Sequence, residues 1–201
     1  MKIALCNEVL QPLPFEQQCR LAADLGYDGL EVAPFTLAED PTQLSDGEAS
    51  RMARVAADHG LAIAGLHWLL VAPPGLSIVS ADTDLRARTS AVMERMVELC
   101  ATMGGRYLVH GPPKQRSVPA GATPGQAWER ARECLLRAAR RAEACGVTYC
   151  LEPLSPVETD LVNTVAEAVR MVQEVGSPAL KTMIDCSAAG ALSARGFSSV
   201  T

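Results

Sequence analysis

Two carboxylates stand at the ends of short apolar runs, Glu152 in YCLEPLSPVETD and Asp185 in TMIDCSAAG. An apolar run supplies a rigid base for the acid at its end, and Pro153 stops the backbone after Glu152 from continuing as a ladder strand. If both carboxylates enter one half-buried pocket, their mutual repulsion must be relieved by a shared proton or by a cation, and a divalent metal is the simplest relief. Taken singly, each acid could equally cap the following helix or pair with an arginine. His67 in LAIAGLHWLL and His110 in RYLVHGPP end two further runs. Each is a candidate for a substrate or metal contact, the alternative being a hydrogen-bonded core histidine. His59, just before Gly60, suits a helix C-terminus and needs no other role. Glu158, in the loop beyond Glu152, can bind a hydroxylated substrate or tune proton transfer by its neighbour, unless it is only a charge at a helix entry. Trp68 offers a face for stacking on a sugar-like ligand. Lys114, Gln115 and Arg116 could contact a phosphate or carboxylate, but read first as a solvated loop.

The elements that must position these groups follow from periodicity. Strands are expected at 2–6, 29–32, 62–67, 107–110, 148–151 and 181–184, and helices at about 15–25, 45–59, 82–103, 124–145 and 164–175. Gly26, Gly60, Gly104, Gly146 and Gly176 each follow a helix, where a left-handed residue belongs. Strands alternating with helices make an α/β fold around a parallel sheet. Glu31, His67, His110, Glu152 and Asp185 recur once per βα unit, near strand ends, and Glu8 follows the first strand. In a barrel all C-terminal strand ends open on one face, so these groups converge; in an open sheet they would spread along an edge. No G-x-G-x-x-G or G-x-x-x-x-G-K-[ST] follows any strand, which disfavours a nucleotide-binding sheet. The expected fold is therefore of (β/α)8 TIM-barrel type with about six βα units, over residues 1–190, followed by an irregular tail at 191–201.

Composition narrows the partners. The chain has 201 residues and a net charge of −5, a field that opposes binding to nucleic acid or an anionic membrane and favours a small molecule. Seven cysteines without a C-x-x-C pair read as buried free thiols in a reducing compartment. With no signal-peptide pattern after MKIALC and no long apolar span, a cytoplasmic location is expected.

The segments GYDGLEV, GLHWLL, LCATMGGRYLVHG, LEPLSPVETDLVNT and MIDCSAA together resemble the xylose isomerase-like superfamily of sugar phosphate isomerases and epimerases. The resemblance implies a (β/α)8 barrel with Mn²⁺, Mg²⁺, Co²⁺ or Zn²⁺ held by a Glu on strand five, an Asp on strand six, a His on strand seven and a Glu on strand eight. Glu152 and Asp185 match the first two ligands, with Glu152 also an acid-base partner. Glu158 matches an acid that contacts substrate, and His67 and His110 fall at pocket positions. Ala188 departs from the pattern, since many of these enzymes place a substrate-binding His there. The His of strand seven and the Glu of strand eight are not found in this sequence, so a truncated barrel or one completed by another chain is expected.

Three functions compete. The leading one is a metal-dependent sugar or sugar-phosphate isomerase or epimerase that transfers a proton next to a carbonyl. An endonuclease IV-like phosphodiesterase shares the outline of His67, His110, Glu152 and Asp185, but the three histidines of the chain are too few for a trinuclear zinc site, and its acidic charge opposes DNA. The third is an inactive barrel fragment acting as an assembly partner, with a second copy or a complementing chain as its counterpart.

Overall fold

The computed structural model describes residues 1–186. Six strands form one sheet in the order of the chain: β1 (Ala4–Cys6), β2 (Gly29–Val32), β3 (Ala62–Leu66), β4 (Tyr107–His110), β5 (Thr148–Leu151) and β6 (Leu180–Thr182). Every neighbouring pair is parallel. The helices between them are α1 (Phe15–Asp24), α2 (Asp46–Asp58), α3 (Thr83–Thr102), α4 (Pro124–Cys145) and α5 (Val165–Val175). A strand order that never reverses is the arrangement of a barrel; an open doubly wound sheet has a switch point where the order turns back. The incomplete-barrel expectation is thereby met over the described residues. The expected tail at 191–201 and Ala188 lie outside them.

Helix boundaries follow local chemistry. Ser45 with Glu48, Thr123 with Gln126 and Thr164 with Glu167 each form a reciprocal capping box. The five glycines expected beyond the helices all take positive φ, between 70° and 83°. Three strands depart from their sequence limits: β3 stops one residue early, at Leu66, and β1 and β6 are shifted for physical reasons. The N–H of Ile3 bonds Asp28 Oδ2 at 2.8 Å and not a ladder carbonyl, so β1 begins at Ala4. The Thr182 hydroxyl donates to the carbonyl of Leu151 at 2.8 Å where β6 ends.

Residues of alternate parity face opposite sides of each strand. The buried Leu30, Val32, Leu66, Leu108, Tyr149, Leu151 and Leu180 belong to the hydrophobic core with the helices. Along α4, the buried Ala127, Ala131, Ala138 and Ala142 carry only methyl groups, which lets that helix lie close to its neighbours. The outer surfaces of α3 and α4 are joined by ion pairs of Arg137 with Glu94 at 2.9 Å and Arg141 with Glu98 at 2.6 Å. Such exposed pairs add little stability.

Candidate active site

The C-terminal strand ends enclose a cavity of about 390 Å³. Glu8, Glu31, His67, Glu152, Glu158 and Asp185 all line it, so acids and an imidazole far apart in sequence meet in one place.

Glu152 follows β5 directly. Its N–H bonds the carbonyl of His110 at 3.3 Å, and its own carbonyl accepts from Arg116 Nη1 at 2.7 Å. The carboxylate lies over Gly111, where an added Cβ would overlap Oε2. Burial pushes the Glu152 carboxyl up to about 7; the charges of Asp185, Glu158 and Glu31 push the same way, and Arg116 opposes them. The group therefore changes protonation near neutrality, which suits an acid-base partner. Asp185 lies just beyond β6, close enough for its charge to act on Glu152.

Glu158 sits in the loop after β5, where its Oε2 accepts from the N–H of Ser155 at 3.0 Å. Asn163 ties that loop shut by donating to the carbonyls of Leu154 and Thr159 at 2.9 and 2.8 Å. Asp160 Oδ1 accepts from the N–H of Val118, which pins the loop after β5 to the loop after β4.

His67 is buried and joins two acids. Its Nε2 is 2.9 Å from Glu8 Oε2, and its Nδ1 is 3.7 Å from Glu31 Oε2. Glu31 is brought round by a register shift between Leu30 and Glu31 in the pairing of β2 with β3. Irregularities of this kind re-aim side chains beside active sites. The Cys6 thiol donates to Glu31 Oε2 at 3.1 Å. Burial and the neighbouring Glu31 and Glu8 push that thiol up to about 12. Trp68 stands at the rim, 44% exposed, with φ at 55°. A bulky residue held in the left-handed region is strained by about 1–3 kcal/mol, and such strain gathers at ligand sites.

His110 is not brought to the cavity, contrary to expectation. Val109 lines the cavity, so His110, one position on, turns to the other side of the sheet. There it is fully buried, with Nδ1 2.9 Å from the Tyr149 hydroxyl. Burial, with a contribution from Arg116, pushes its pKa down to about 3. The solvated loop expected at 114–116 is also corrected. Arg116 is fully buried and Gln115 Nε2 donates to the carbonyl of Leu70 at 2.9 Å, while Lys114 alone is exposed. Burial draws the Arg116 guanidinium down to about 10 against the pull of Glu152 and Glu158. The sequence does not single out Cys6 as a member of a site, and for Arg116 it favours a solvated loop over a contact to a phosphate or carboxylate. For Cys6 the available signal was its position at the end of a strand, level with Glu31. For Arg116 the signal was the run of prolines that encloses it, Pro112, Pro113 and Pro119.

Residues 19–193 match the family model described as xylose isomerase-like TIM barrel, and the chain belongs to that family. The D-psicose 3-epimerase of Ruminiclostridium cellulolyticum is 31% identical over 167 residues, covering 81% of this chain and 54% of its own length. The fructoselysine 3-epimerase of Shigella flexneri is 27% identical over 180 residues, covering 87% of this chain and 62% of its own. A crystal structure of D-psicose 3-epimerase in the presence of D-fructose superposes with a TM-score of 0.75 over 91% of this chain and 63% of that one. At 24% identity that likeness shows the fold. The chain thus spans about half to three fifths of the length of these curated relatives. Among the described residues, no helix is long and apolar enough to cross a membrane.

Proposed function

We propose that the chain carries the substrate and metal half of a sugar or sugar-phosphate epimerase or isomerase, working by proton transfer at the carbon next to a carbonyl. The observation that carries this reading is the partly desolvated Glu152 carboxyl, at about 7, facing Asp185 across a cavity. The names of the relatives, all sugar 3-epimerases, support a ketose as substrate and carbon 3 as the reacting centre.

The residues present fit a divalent cation. Asp185, Glu158 and Glu31 all add negative charge around Glu152, and Arg116 opposes them. An oxygen-rich, negatively charged pocket suits Mn²⁺, Mg²⁺, Co²⁺ or Zn²⁺, with Glu152 and Asp185 as the ligands. When bound, such an ion supplies positive charge to offset the charge growing on the carbonyl oxygen as the adjacent C–H is lost. Arg116 and Gly111 fix the position of Glu152, by gripping its carbonyl and by leaving room for its carboxylate. Glu158, fixed by Ser155, faces the cavity to accept hydrogen bonds from substrate hydroxyls. Trp68 gives an apolar face at the rim for a sugar ring, and His67 lines the same cavity with its Nε2 taken up by Glu8. His110, turned away from the cavity, has no part in this reading.

The test is deuterium uptake at carbon 3 of D-psicose or D-fructose in heavy water with Mn²⁺. It is run on the 201-residue chain and on a chimera that adds the remaining barrel units of the D-psicose relative. Exchange that depends on Glu152 is the expected result. An inert, folded chimera that still binds Mn²⁺ would overturn the reading.

A further inference from the structure

We propose that Cys6, Glu31 and His67 form a second cation site, separate in its ligands from Glu152 and Asp185, which takes a thiophilic divalent ion of the zinc class. One ligand atom from each of the three residues lies within 4.8 Å of the others. The residues stand at the C-terminal ends of β1, β2 and β3, so neighbouring strands set their spacing.

The second observation concerns the imidazole. His67 is 7% exposed, and its Nδ1 is buried without a hydrogen-bond partner. A carboxylate only accepts hydrogen bonds, so the 2.9 Å contact with Glu8 requires the proton on Nε2. In the neutral ring Nδ1 then carries a lone pair, and it points at Glu31 Oε2, another acceptor, 3.7 Å away. Two acceptors facing each other in a half-buried site repel, and a cation between them turns the repulsion into ligation. Glu8 already makes the outer contact that metal-binding histidines show, a carboxylate on the far ring nitrogen. The two separations from Glu31 are also suitable. Tetrahedral zinc, with bonds of about 2.3 Å to sulfur and about 2.0–2.1 Å to nitrogen and oxygen, brings ligand atoms to roughly 3.3–3.6 Å from one another. Here Cys6 Sγ to Glu31 Oε2 is 3.1 Å and His67 Nδ1 to Glu31 Oε2 is 3.7 Å.

On binding, the Cys6 thiol releases its proton to solvent, and Glu31 exchanges the S–H contact for the ion. One thiolate and one carboxylate then neutralise a divalent charge, with His67 neutral. Three protein ligands leave a fourth position for water or a substrate oxygen from the cavity. This site does not depend on the proposed epimerase chemistry.

Cobalt titration of the metal-free full chain provides the test. The expected result is a thiolate-to-cobalt charge-transfer band that persists in the Glu152→Gln/Asp185→Asn double variant and is absent in Cys6→Ser. Cys186 lines the same cavity, and Cys186→Ser should keep the band. Glu8→Ala, which removes the outer contact, should weaken cobalt binding about 10- to 100-fold. Cadmium NMR of the unsubstituted chain supplies a second reading that needs no variant, since one sulfur ligand shifts the resonance strongly. A cadmium signal showing only oxygen and nitrogen ligands would overturn the proposal. So would a band lost in Cys186→Ser or in the double variant, because the metal would then sit on the other ligands.

Discussion

Gly111 lies beneath the Glu152 carboxylate so closely that a Cβ at position 111 would overlap Oε2. The two residues follow neighbouring strands, so the clash cannot be relieved without moving a strand end or turning Glu152 away. Gly111→Ala is therefore expected to leave the fold intact and displace the carboxylate. Mn²⁺ binding, followed by water-proton relaxation, should weaken at least about tenfold, as removal of support around a ligand typically does. Unchanged Mn²⁺ affinity in a folded Gly111→Ala chain would mean that Glu152 does not hold the ion.

Arg116 is the cation that opposes the upward pull on Glu152. Replacing it with Leu removes that charge and the donor to the Glu152 carbonyl. The Glu152 carboxyl should then rise further above about 7, measured by carbon-detected NMR titration of the metal-free chain. Arg116→Lys, which keeps the charge without the planar fork, should restore part of the shift. A Glu152 titration that does not move in Arg116→Leu would show that the guanidinium acts only as a packing group.

The strained Trp68 makes a prediction of opposite sign for stability and binding. Glycine adopts φ of 55° freely, so Trp68→Gly relieves backbone strain that the indole, 44% exposed, repays with little packing. The variant is expected to unfold at the same or a higher denaturant concentration while losing ketose affinity about tenfold, read by calorimetric titration, since aromatic stacking is worth about 1 kcal/mol. Loss of stability without loss of affinity would assign Trp68 to packing.

Much of this arrangement is legible in the sequence because local chemistry and global fold agree. Gly146 and Gly176, each at the left-handed cap of a helix, mark where strands β5 and β6 must follow. Glu152 and Asp185 could be placed because each ends an apolar run, and a parallel fold sends all such ends to one face. His110 ends a run too, yet it faces the helices. Side-chain parity is set by the pairing of Val109 with Cys150 and His110 with Leu151, which no single segment reveals. Arg116 was read as solvated because a charged loop residue usually is. Its burial comes from the loop folding back to the Glu152 carbonyl, a contact across 36 residues. The approach of Glu31 to His67 depends on the register shift at Leu30/Glu31 in the pairing of β2 with β3, a feature of the sheet as a whole.

Two desolvated groups, one fully and one partly buried, should shape the dependence of stability on pH in opposite ways, in the metal-free chain. The His110 pKa falls from 6.5 to about 3 on folding, so the stability it allows is fully present above 6.5 and is lost as pH drops toward 3. The Glu152 pKa rises from 4.5 to about 7, so the stability associated with its protonated form is present below 4.5 and is lost as pH rises through 7. Stability should therefore peak on the mildly acidic side of neutrality. Glu152→Gln should remove the upper limb and stabilise the chain at pH 8 by about 1–2 kcal/mol, a figure reduced from the full shift because the carboxyl is partly open to solvent. At pH 5 the same substitution should have a smaller effect. His110→Phe should flatten the lower limb, although loss of the Tyr149 contact lowers stability at every pH. Urea unfolding at several pH values, in the presence of a chelator, measures both limbs. A Glu152→Gln chain that loses stability more steeply than the parent between pH 6 and 8 would contradict the assignment of the upper limb to this carboxyl.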